Sequence, residues 1–382
     1  MKHDYILQGG QVCLPDRLIQ ADVWVENGKI KQISDQRLAV DGVAVVPLQA
    51  DDKVIPGMID THIHGANGAD IMDASAKGVK TIQQALFNQG VTGFLATTMT
   101  GPRTTLDQVM GTLGVLEPPA DDAASVLGVH LEGPFIAADK MGAQNPAYIQ
   151  PVNMAMLNQW HALSGQQIKK ITFAPECNDV KALLQWCQQH QVVPSMGHSN
   201  CTAKQAQMAI KQGACQATHL FNAMSGLDHR HPGLATAVLI NPSVTAELIV
   251  DGIHLAPEIV AMTYQIKGKD HLLLVTDAMA AQGQPEGVFD LGGQVVTVSQ
   301  GQARLADGTL AGSVLTMNQA LSNMMAYTHC DLPAAVQMAS TNPAKSIGYG
   351  HCKGKIMVGY DADIAVLDAQ YQVKQVFKRM GV

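Results

Sequence analysis

The middle of this chain alternates short apolar runs with helix-like stretches, and this alternation restricts the fold more than any other feature of the sequence. Strand and helix in alternation predict a parallel sheet. Over 382 residues, a closed (β/α)8 TIM barrel of about 250 residues with a second, smaller unit fits better than an open sheet. No GxGxxG opens a helix after the first strand, which weakens the dinucleotide-binding alternative. The apolar runs are Val54–Ile59, Val126–Leu131, Ile171–Ala174, Val192–Met196, Ala246–Val250 and Leu272–Thr276, and helix-like stretches include Ala76–Gln89, Cys201–Gln212 and Pro257–Lys267.

Both ends of the chain have the pattern of β-structure. Val23 and Val25 alternate with polar residues, and Asn27-Gly28 then offers a tight hairpin turn. Near the other end, Ile364–Leu367 is an apolar run between Asp-rich turns, and further apolar residues follow it. We therefore expect the two termini to build one small β-sandwich domain together.

These patterns predict a division of the chain into two domains. The small β domain would consist of residues 1–53 plus 345–382, and the catalytic barrel of residues 54–344. The glycine-rich segment near 282–308 has the pattern of a β-hairpin inserted late in the barrel.

Charge and cysteine usage exclude several classes of function. The net charge is -7 and no stretch combines dense Lys and Arg with aromatic residues, so we expect no nucleic-acid partner. The seven cysteines form no CxxC pair, which is typical of reduced thiols and predicts a cytoplasmic protein. The N-terminal sequence MKHDYILQGG has no apolar core of a signal peptide, and no apolar run approaches the roughly 20 residues of a membrane span.

Two histidines end the first apolar segment. His62 and His64 are two residues apart, so on a strand their side chains point to the same side. Two imidazoles on one side can share a metal ion, and barrel enzymes place catalytic residues at the carboxyl ends of strands. A polar strand end with two solvated histidines would give the same pattern. The metal-binding interpretation is therefore supported mainly by the position of the pair at the end of the first core strand.

Four more polar residues follow later apolar segments: Glu132, His198, His219 and Asp277. From His62 onward, consecutive members of this set are separated by 70, 66, 21 and 58 residues. A βα unit takes about 30 residues in a barrel of this size. These intervals predict that the set lies on strands 1, 3, 5, 6 and 8, all at one mouth of the barrel.

Each member alone has an ordinary structural interpretation. A lone histidine is more often a hydrogen-bonded core residue than a ligand, and Glu132 alone is better explained as a capping or salt-bridged carboxylate. Asp277 follows a run of aliphatic residues, and backbone N–H groups can donate the hydrogen bonds that a buried structural carboxylate needs. Five such residues at one face are explained more simply by a single metal site.

Eight segments around these positions have a recognisable motif: PGMIDTHIHG (56–65), HLEGPF (130–135), GHSN (197–200), THLFNAM (218–224), DGIH (251–254), VTDA (275–278), GTLAGSVLTM (308–317) and GKIMVGYDADIAVLD (354–368). Together they resemble the amidohydrolase superfamily, and within it the N-acetylglucosamine-6-phosphate deacetylase family. HLEGPF together with THLFNAM is specific to the deacetylases, and the resemblance covers nearly the whole chain.

The resemblance implies a role for each of a set of residues. It implies metal ligands at Glu132, His198 and His219 and catalysis by Asp277. Some members lack the HxH motif, whereas this chain keeps His62 and His64, so a second ion can bind and the number of ions, one or two, stays open. The implied substrate residues are Ala143, Gln144, Asn222, Ala223, Arg230, His254, Leu310, Ala311 and Gly312.

The implied reaction removes the acetyl group from N-acetylglucosamine 6-phosphate and gives glucosamine 6-phosphate and acetate. A divalent metal ion polarises the amide carbonyl and lowers the pKa of water. Asp277 can take the proton from that water and then give it to the departing amine. Histidine and carboxylate ligands suit Zn²⁺ or Fe²⁺, with Mn²⁺ and Co²⁺ as alternatives.

Three other functions stay open at this point. The first is deacetylation of N-acetylgalactosamine 6-phosphate, whose sugar differs from the glucosamine substrate at one hydroxyl. A cyclic amidohydrolase more often bridges two metals with a modified lysine, and we find no lysine at the end of a candidate strand. A non-enzymatic scaffold is disfavoured, because a scaffold has no need to keep Asp277 beside three metal ligands.

A sugar phosphate carries close to two negative charges and needs cationic or multi-donor groups. Arg230 follows the His219 strand, and His254 follows another strand. A solvated loop arginine is the ordinary interpretation of Arg230. The resemblance instead implies that its loop reaches into the neighbouring subunit, so that a homodimer completes the phosphate site.

Overall fold

Eight parallel strands form the centre of the molecule, in a computed structural model that describes residues 4–378. Each strand pairs with the next one along the chain, and strand 8 lies next to strand 1. This arrangement is the predicted (β/α)8 TIM barrel. The strands are β1 (Met58–Ile63), β2 (Val91–Thr97), β3 (Ser125–Glu132), β4 (Ile168–Phe173), β5 (Val193–Met196), β6 (Gln216–Ala217), β7 (Thr245–Ile249) and β8 (Leu272–Val275).

Helices follow the strands and cover the outside of the barrel. Local sequence sets their starts: Thr202 and Gln205 form a capping box at one helix, and Pro257 occupies the first turn of another. The α-helices are Ala76–Phe87, Arg103–Gly114, Met154–Leu163, Val180–His190, Ala203–Lys211, Leu234–Ile240, Pro257–Lys267, Met317–Thr328, Leu332–Val336 and Asn342–Ser346. Within residues 4–378, every helix is too short or too polar to span a lipid bilayer.

Strands from both termini form two further sheets around a shared apolar core. The predicted hairpin at Asn27-Gly28 is confirmed by the antiparallel pairing of the two strands that flank it. The four-stranded sheet contains Tyr5–Gln8, Asp22–Glu26, Lys29–Ser34 and Ala44–Pro47, and the five-stranded sheet contains Gln11–Cys13, Leu18–Gln20, Lys53–Pro56, Ile364–Leu367 and Val373–Phe377.

The prediction of one strand over Val54–Ile59 is wrong. Lys53–Pro56 belongs to the five-stranded sheet and β1 starts at Met58. Gly57 separates them, and a Cβ at this glycine would lie 2.2 Å from the Oγ1 atom of Thr92. The chain therefore passes from one sheet to the other at a position where only glycine fits.

The segment after β8 carries a three-stranded antiparallel sheet, one strand more than a hairpin. Its strands are Gly287–Leu291, Gln294–Ser299 and Gln302–Arg304. Leu291 and Val296 pack against Met99 and Met279 from the barrel loops in a small apolar core of their own. The insertion is thereby held against the loops at the carboxyl end of the strands, where it borders the cavity described below.

Candidate active site

The five predicted strand-end positions meet at the carboxyl end of the barrel. His62 lies in β1 with His64 just beyond it, and Glu132 is the last residue of β3. His198, His219 and Asp277 each lie two residues after β5, β6 and β8 respectively. The residues thus lie on strands 1, 3, 5, 6 and 8, as the intervals along the sequence predict.

Backbone conformation turns three of these side chains into the barrel mouth. His198, His219 and Asp277 have φ angles of 46°, 30° and 50°, in the left-handed region that residues other than glycine seldom occupy. All three are buried. Such conformations persist only where the surrounding structure enforces them, and they cluster at functional sites.

The Glu132 carboxylate belongs to two groups of side-chain atoms that lie close enough together to hold a metal ion, called the metal-ligand groups below. One group is His62, His64 and Glu132, and the other is Glu132, His198 and His219. Glu132 Oε1 lies 3.3 Å from His62 Nε2 and 3.2 Å from the Nε2 atoms of both His198 and His219, while its Oε2 lies 3.3 Å from His64 Nε2. Asp277 Oδ1 lies 3.4 Å from His62 Nε2 and 3.2 Å from His64 Nε2.

The hydrogen bonds of three imidazoles assign their tautomers. His62 Nδ1 lies 3.1 Å from the Glu247 carboxylate. His64 Nδ1 lies 3.3 Å from the Thr97 carbonyl oxygen, and His198 Nδ1 lies 2.9 Å from that of Lys140. Because these partners only accept, each Nδ1 carries the hydrogen and each Nε2 faces the centre of the site.

This arrangement fits a divalent metal ion. The Nε2 atoms and carboxylate oxygens converge at 3.2–3.4 Å in a buried space. Burial lowers the pKa of His62, but the charges of Glu132 and Asp277 raise it to about 9, so without a metal ion the protonated imidazole supplies the positive charge that a bound cation would supply. His62 Nε2 is buried without a hydrogen-bond partner among the described residues. Imidazole with carboxylate is a donor set for divalent metal ions, and hydrogen bonds that fix the far ring nitrogen are typical of metal-binding histidines.

The electrostatics of the site keep its carboxylates ionised. Burial alone would raise the pKa of Glu132, but the charge of His62 and the hydrogen bonds from His198 and His219 hold this pKa well below its usual range. Burial would also raise the pKa of Asp277, whereas the charge of His62 and the hydrogen bond from His64 lower it to about 2. Asp277 is therefore a carboxylate at neutral pH and can accept a proton.

Two buried charged residues of the barrel interior were missed from the sequence. Lys170 lies in β4 and Glu247 in β7, both 0% exposed, and their side chains form an ion pair. Burial would raise the pKa of Glu247, but the charge of Lys170 lowers it to about 2. Lys170 was overlooked because the predicted run begins only at Ile171. Glu247 was overlooked inside a run treated as apolar, and a lone charge in such a run is the available signal.

A cavity of about 480 Å³ opens above the metal-ligand residues. Most of the predicted substrate residues line it: Ala143, Gln144, Asn222, Ala223, His254, Leu310 and Gly312. Gln144 also donates a 3.0 Å hydrogen bond to Glu132 from its side-chain amide. Ala311 is fully buried in the small core of the insertion and does not line the cavity.

The cationic residues at this cavity differ from those expected. Arg230 is exposed and is not among the residues that line the cavity of its own chain. Lys140 and Arg304, which sequence reasoning did not select, do line it. Arg304 ends the last strand of the insertion, and its guanidinium donates to the Gln302 side chain at 2.9 Å and the Gly308 carbonyl at 2.5 Å.

The chain is similar to known proteins over nearly its whole length. The sequence model of the Amidohydrolase family matches residues 53–380. An N-acetylglucosamine-6-phosphate deacetylase of Lysinibacillus sphaericus is 43% identical over 360 residues, which are 94% of this chain and 92% of the relative. An N-acetylgalactosamine-6-phosphate deacetylase of Escherichia coli is 31% identical over 94% of this chain and 96% of the relative.

A solved structure has the same fold. It is a mutant N-acetyl-D-glucosamine-6-phosphate deacetylase from Mycobacterium smegmatis in complex with N-acetyl-D-glucosamine-6-phosphate. The TM-score is 0.91 at 28% sequence identity, and the match covers 99% of this chain and 98% of that chain. The likeness thus includes both the barrel and the sheets from the termini.

Proposed function

This chain belongs to the amidohydrolase family and, within it, to the N-acetylglucosamine-6-phosphate deacetylases, and we propose that it hydrolyses the N-acetyl group of N-acetylglucosamine 6-phosphate to give glucosamine 6-phosphate and acetate. The position of Asp277 carries this proposal. Its carboxylate lies 3.4 Å from His62 and 3.2 Å from His64, at the floor of the cavity where both metal-ligand groups meet.

The metal ligands follow from the two groups around Glu132. Glu132, His198 and His219 would hold one divalent ion, and Glu132 with His62 and His64 would hold a second one. Zn²⁺ or Fe²⁺ suits these ligands first, and Mn²⁺ or Co²⁺ is an alternative. When bound, the metal supplies Lewis acidity, which polarises the amide carbonyl and makes water a better nucleophile.

Asp277 moves the proton in this mechanism. As an ionised carboxylate beside two imidazoles, it takes a proton from the attacking water. It then gives that proton to the amine nitrogen, which otherwise is a poor leaving group. Gln144 helps to hold the Glu132 carboxylate in place, because its amide donates to Oε2 at 3.0 Å while its own carbonyl accepts from the backbone N–H of Thr100 at 2.6 Å.

The outer part of the cavity binds the sugar phosphate. Asn222, Ala223, His254, Leu310 and Gly312 line this cavity. Among the described residues of a single chain, Lys140 and Arg304 add cationic side chains to the same lining. Arg230 acts across a homodimer interface and reaches the phosphate bound to the partner subunit, which its exposed position in its own chain allows.

The chain divides into two domains in this account. We assign residues 54–344 to the catalytic barrel with its inserted sheet and residues 1–53 plus 345–382 to the small β domain, with the boundary shifted at 54–56, because Lys53–Pro56 belongs to the five-stranded sheet. Separate apolar clusters support this division, one inside the barrel and its helices and another between the two sheets from the termini. All seven cysteines are free, which supports a cytoplasmic location.

The galactosamine epimer is the second candidate substrate. The Escherichia coli relative, which is 31% identical, is named an N-acetylgalactosamine-6-phosphate deacetylase. The Lysinibacillus sphaericus relative, which is 43% identical, is named for the glucosamine substrate, and the higher identity supports that substrate for this chain. A cyclic amidohydrolase is disfavoured, because Lys170 on β4 forms a buried ion pair with Glu247 inside the barrel.

Acetate release tests the proposal. Purified protein is stripped of metal, reloaded with Zn²⁺ or Fe²⁺, and assayed with N-acetylglucosamine 6-phosphate and N-acetylgalactosamine 6-phosphate in parallel. We expect acetate from the glucosamine substrate only after reloading, and at a higher kcat/KM than from the galactosamine substrate. No acetate from either substrate with loaded protein would refute the function.

A further inference from the structure

A charged layer lies inside the barrel beneath the metal-ligand residues. The interior of a (β/α)8 barrel is usually filled by branched apolar side chains. Here Lys170 on β4 and Glu247 on β7 occupy that interior with no exposure to solvent. A buried ion pair is no more stabilising than well-packed apolar residues of the same volume. Stability alone therefore gives no reason for charges at these two positions.

The contacts of Glu247 point to the metal-ligand residues above it. One carboxylate oxygen accepts from Nδ1 of His62 at 3.1 Å and from the backbone N–H of His219 at 3.3 Å. The other oxygen contacts Lys170 Nζ. A single carboxylate thus touches one member of each metal-ligand group, while Lys170 neutralises its charge.

From this geometry we propose that Glu247, neutralised by Lys170, is a positioning residue that holds the two groups of metal ligands in register. It keeps His62 in the tautomer whose Nε2 faces Glu132. It also ties down the left-handed backbone at His219, where φ is 30°. The inference rests on the two-ion centre proposed above, and it assigns Glu247 no contact with the substrate.

Binding of Mn²⁺ to metal-free protein tests this role without reference to turnover. The main variant is the double substitution Lys170→Met with Glu247→Gln, which removes both charges together and leaves neither one buried alone. We expect wild type to bind two Mn²⁺ per chain by isothermal titration. In the double variant the affinity for one ion should fall by about 10- to 100-fold, the usual cost of losing a residue that orients a metal ligand.

A matched control separates positioning from general damage to the interior. Ser195→Ala removes a buried hydrogen bond of 2.6 Å to Thr218 in the same interior but touches neither His62 nor Glu247. This control should bind both ions as wild type does. A double variant that binds both Mn²⁺ with wild-type affinity, whether or not its Tm falls, would show that Lys170 and Glu247 are only structural and would overturn the proposal.

A measurement on the wild-type chain removes any dependence on the variants folding. Histidine ¹⁵N NMR of the Zn²⁺-loaded protein reports which ring nitrogen of His62 carries the hydrogen, with His62→Gln used to assign the signal. We expect hydrogen on Nδ1, and hydrogen on Nε2 would overturn the proposal. Wild-type protein that releases acetate but binds a single Mn²⁺ would also overturn it, while leaving the deacetylase function intact.

Discussion

The floor and the rim of the same cavity are built in different ways. The floor consists of buried side chains at the ends of parallel strands, and hydrogen bonds fix the rings of His62, His64 and His198. The rim consists of loops and an inserted sheet, where Lys140 and Arg304 are only partly buried. Under the proposed function, this difference assigns the reaction to the barrel strands and substrate binding to the loops.

The largest effect should follow from removing a ligand at the floor. His198→Ala leaves Glu132 and His219 with too few donors to hold their ion, so we expect the ion of this group and the activity to be lost together. Metal content and acetate release of the same sample provide the measurement. His351→Ala is the control, because His351 is exposed and belongs neither to the two metal-ligand groups nor to the cavity lining. Full metal occupancy in His198→Ala would rule out this ligand.

Asp277→Asn should abolish turnover while leaving the pocket intact. Asparagine keeps the size of the side chain but cannot take a proton from water. We expect kcat to fall by at least about 10²-fold, the lower end for a lost general acid–base residue, with KM little changed. Steady-state acetate release gives both constants. A variant with kcat near wild type would exclude Asp277 from proton transfer.

At the rim we expect Arg304→Gln to affect binding more than chemistry. A lost charge-assisted hydrogen bond is worth about 1.5–3 kcal/mol, which corresponds to a rise of about 10- to 100-fold in KM for the phosphorylated sugar. Turnover of unphosphorylated N-acetylglucosamine should barely change. Arg37→Gln is the matched control, because Arg37 is exposed in the loop between the strands Lys29–Ser34 and Ala44–Pro47. Equal losses with both sugars would mean that Arg304 only supports the insertion.

Arg230→Lys should raise KM for the phosphorylated sugar by a smaller factor, because lysine keeps the charge but not the bidentate geometry of a guanidinium. A dimer test sharpens this expectation. Mixing Arg230→Ala with Asp277→Asn should restore part of the activity, since one site of the hybrid dimer regains both residues. No recovery after confirmed subunit exchange would place Arg230 outside the partner's site.

The smallest effect is expected on the outer face of the insertion. Val288 is 69% exposed there, so Val288→Thr should change the free energy of unfolding by no more than about 0.5 kcal/mol. Its kcat and KM should match wild type in the same acetate assay. A rise in KM comparable to that of Arg304→Gln would mean that the whole insertion, rather than its cavity side, governs substrate binding.

The sequence predicted the candidate site best where polar residues directly follow the apolar runs of the barrel strands. His62, Glu132, His198, His219 and Asp277 are polar residues after apolar runs, and the intervals between them match the strand count of the structure. Both the barrel and the hairpin at Asn27-Gly28 follow from local pattern in the same way.

The sequence pattern does not predict structural features that depend on contacts between residues far apart in the chain. Strand β2 was missed because threonine and glycine interrupt its apolar residues, and the split at Gly57 depends on contact with Thr92. The sequence pattern does not predict the ion pair of Lys170 and Glu247, because the fold brings together two residues that are 77 positions apart. Arg304 reaches the cavity through the path of the insertion, which the sequence pattern does not specify.

Anomalous X-ray scattering at the zinc edge, from crystals of Zn²⁺-loaded protein, tests the metal centre most directly. We predict two peaks on either side of the Glu132 carboxylate, one beside His62 and His64 and the other beside His198 and His219. The absence of any peak at Glu132 in crystals of protein that is active and loaded with Zn²⁺ would contradict the account.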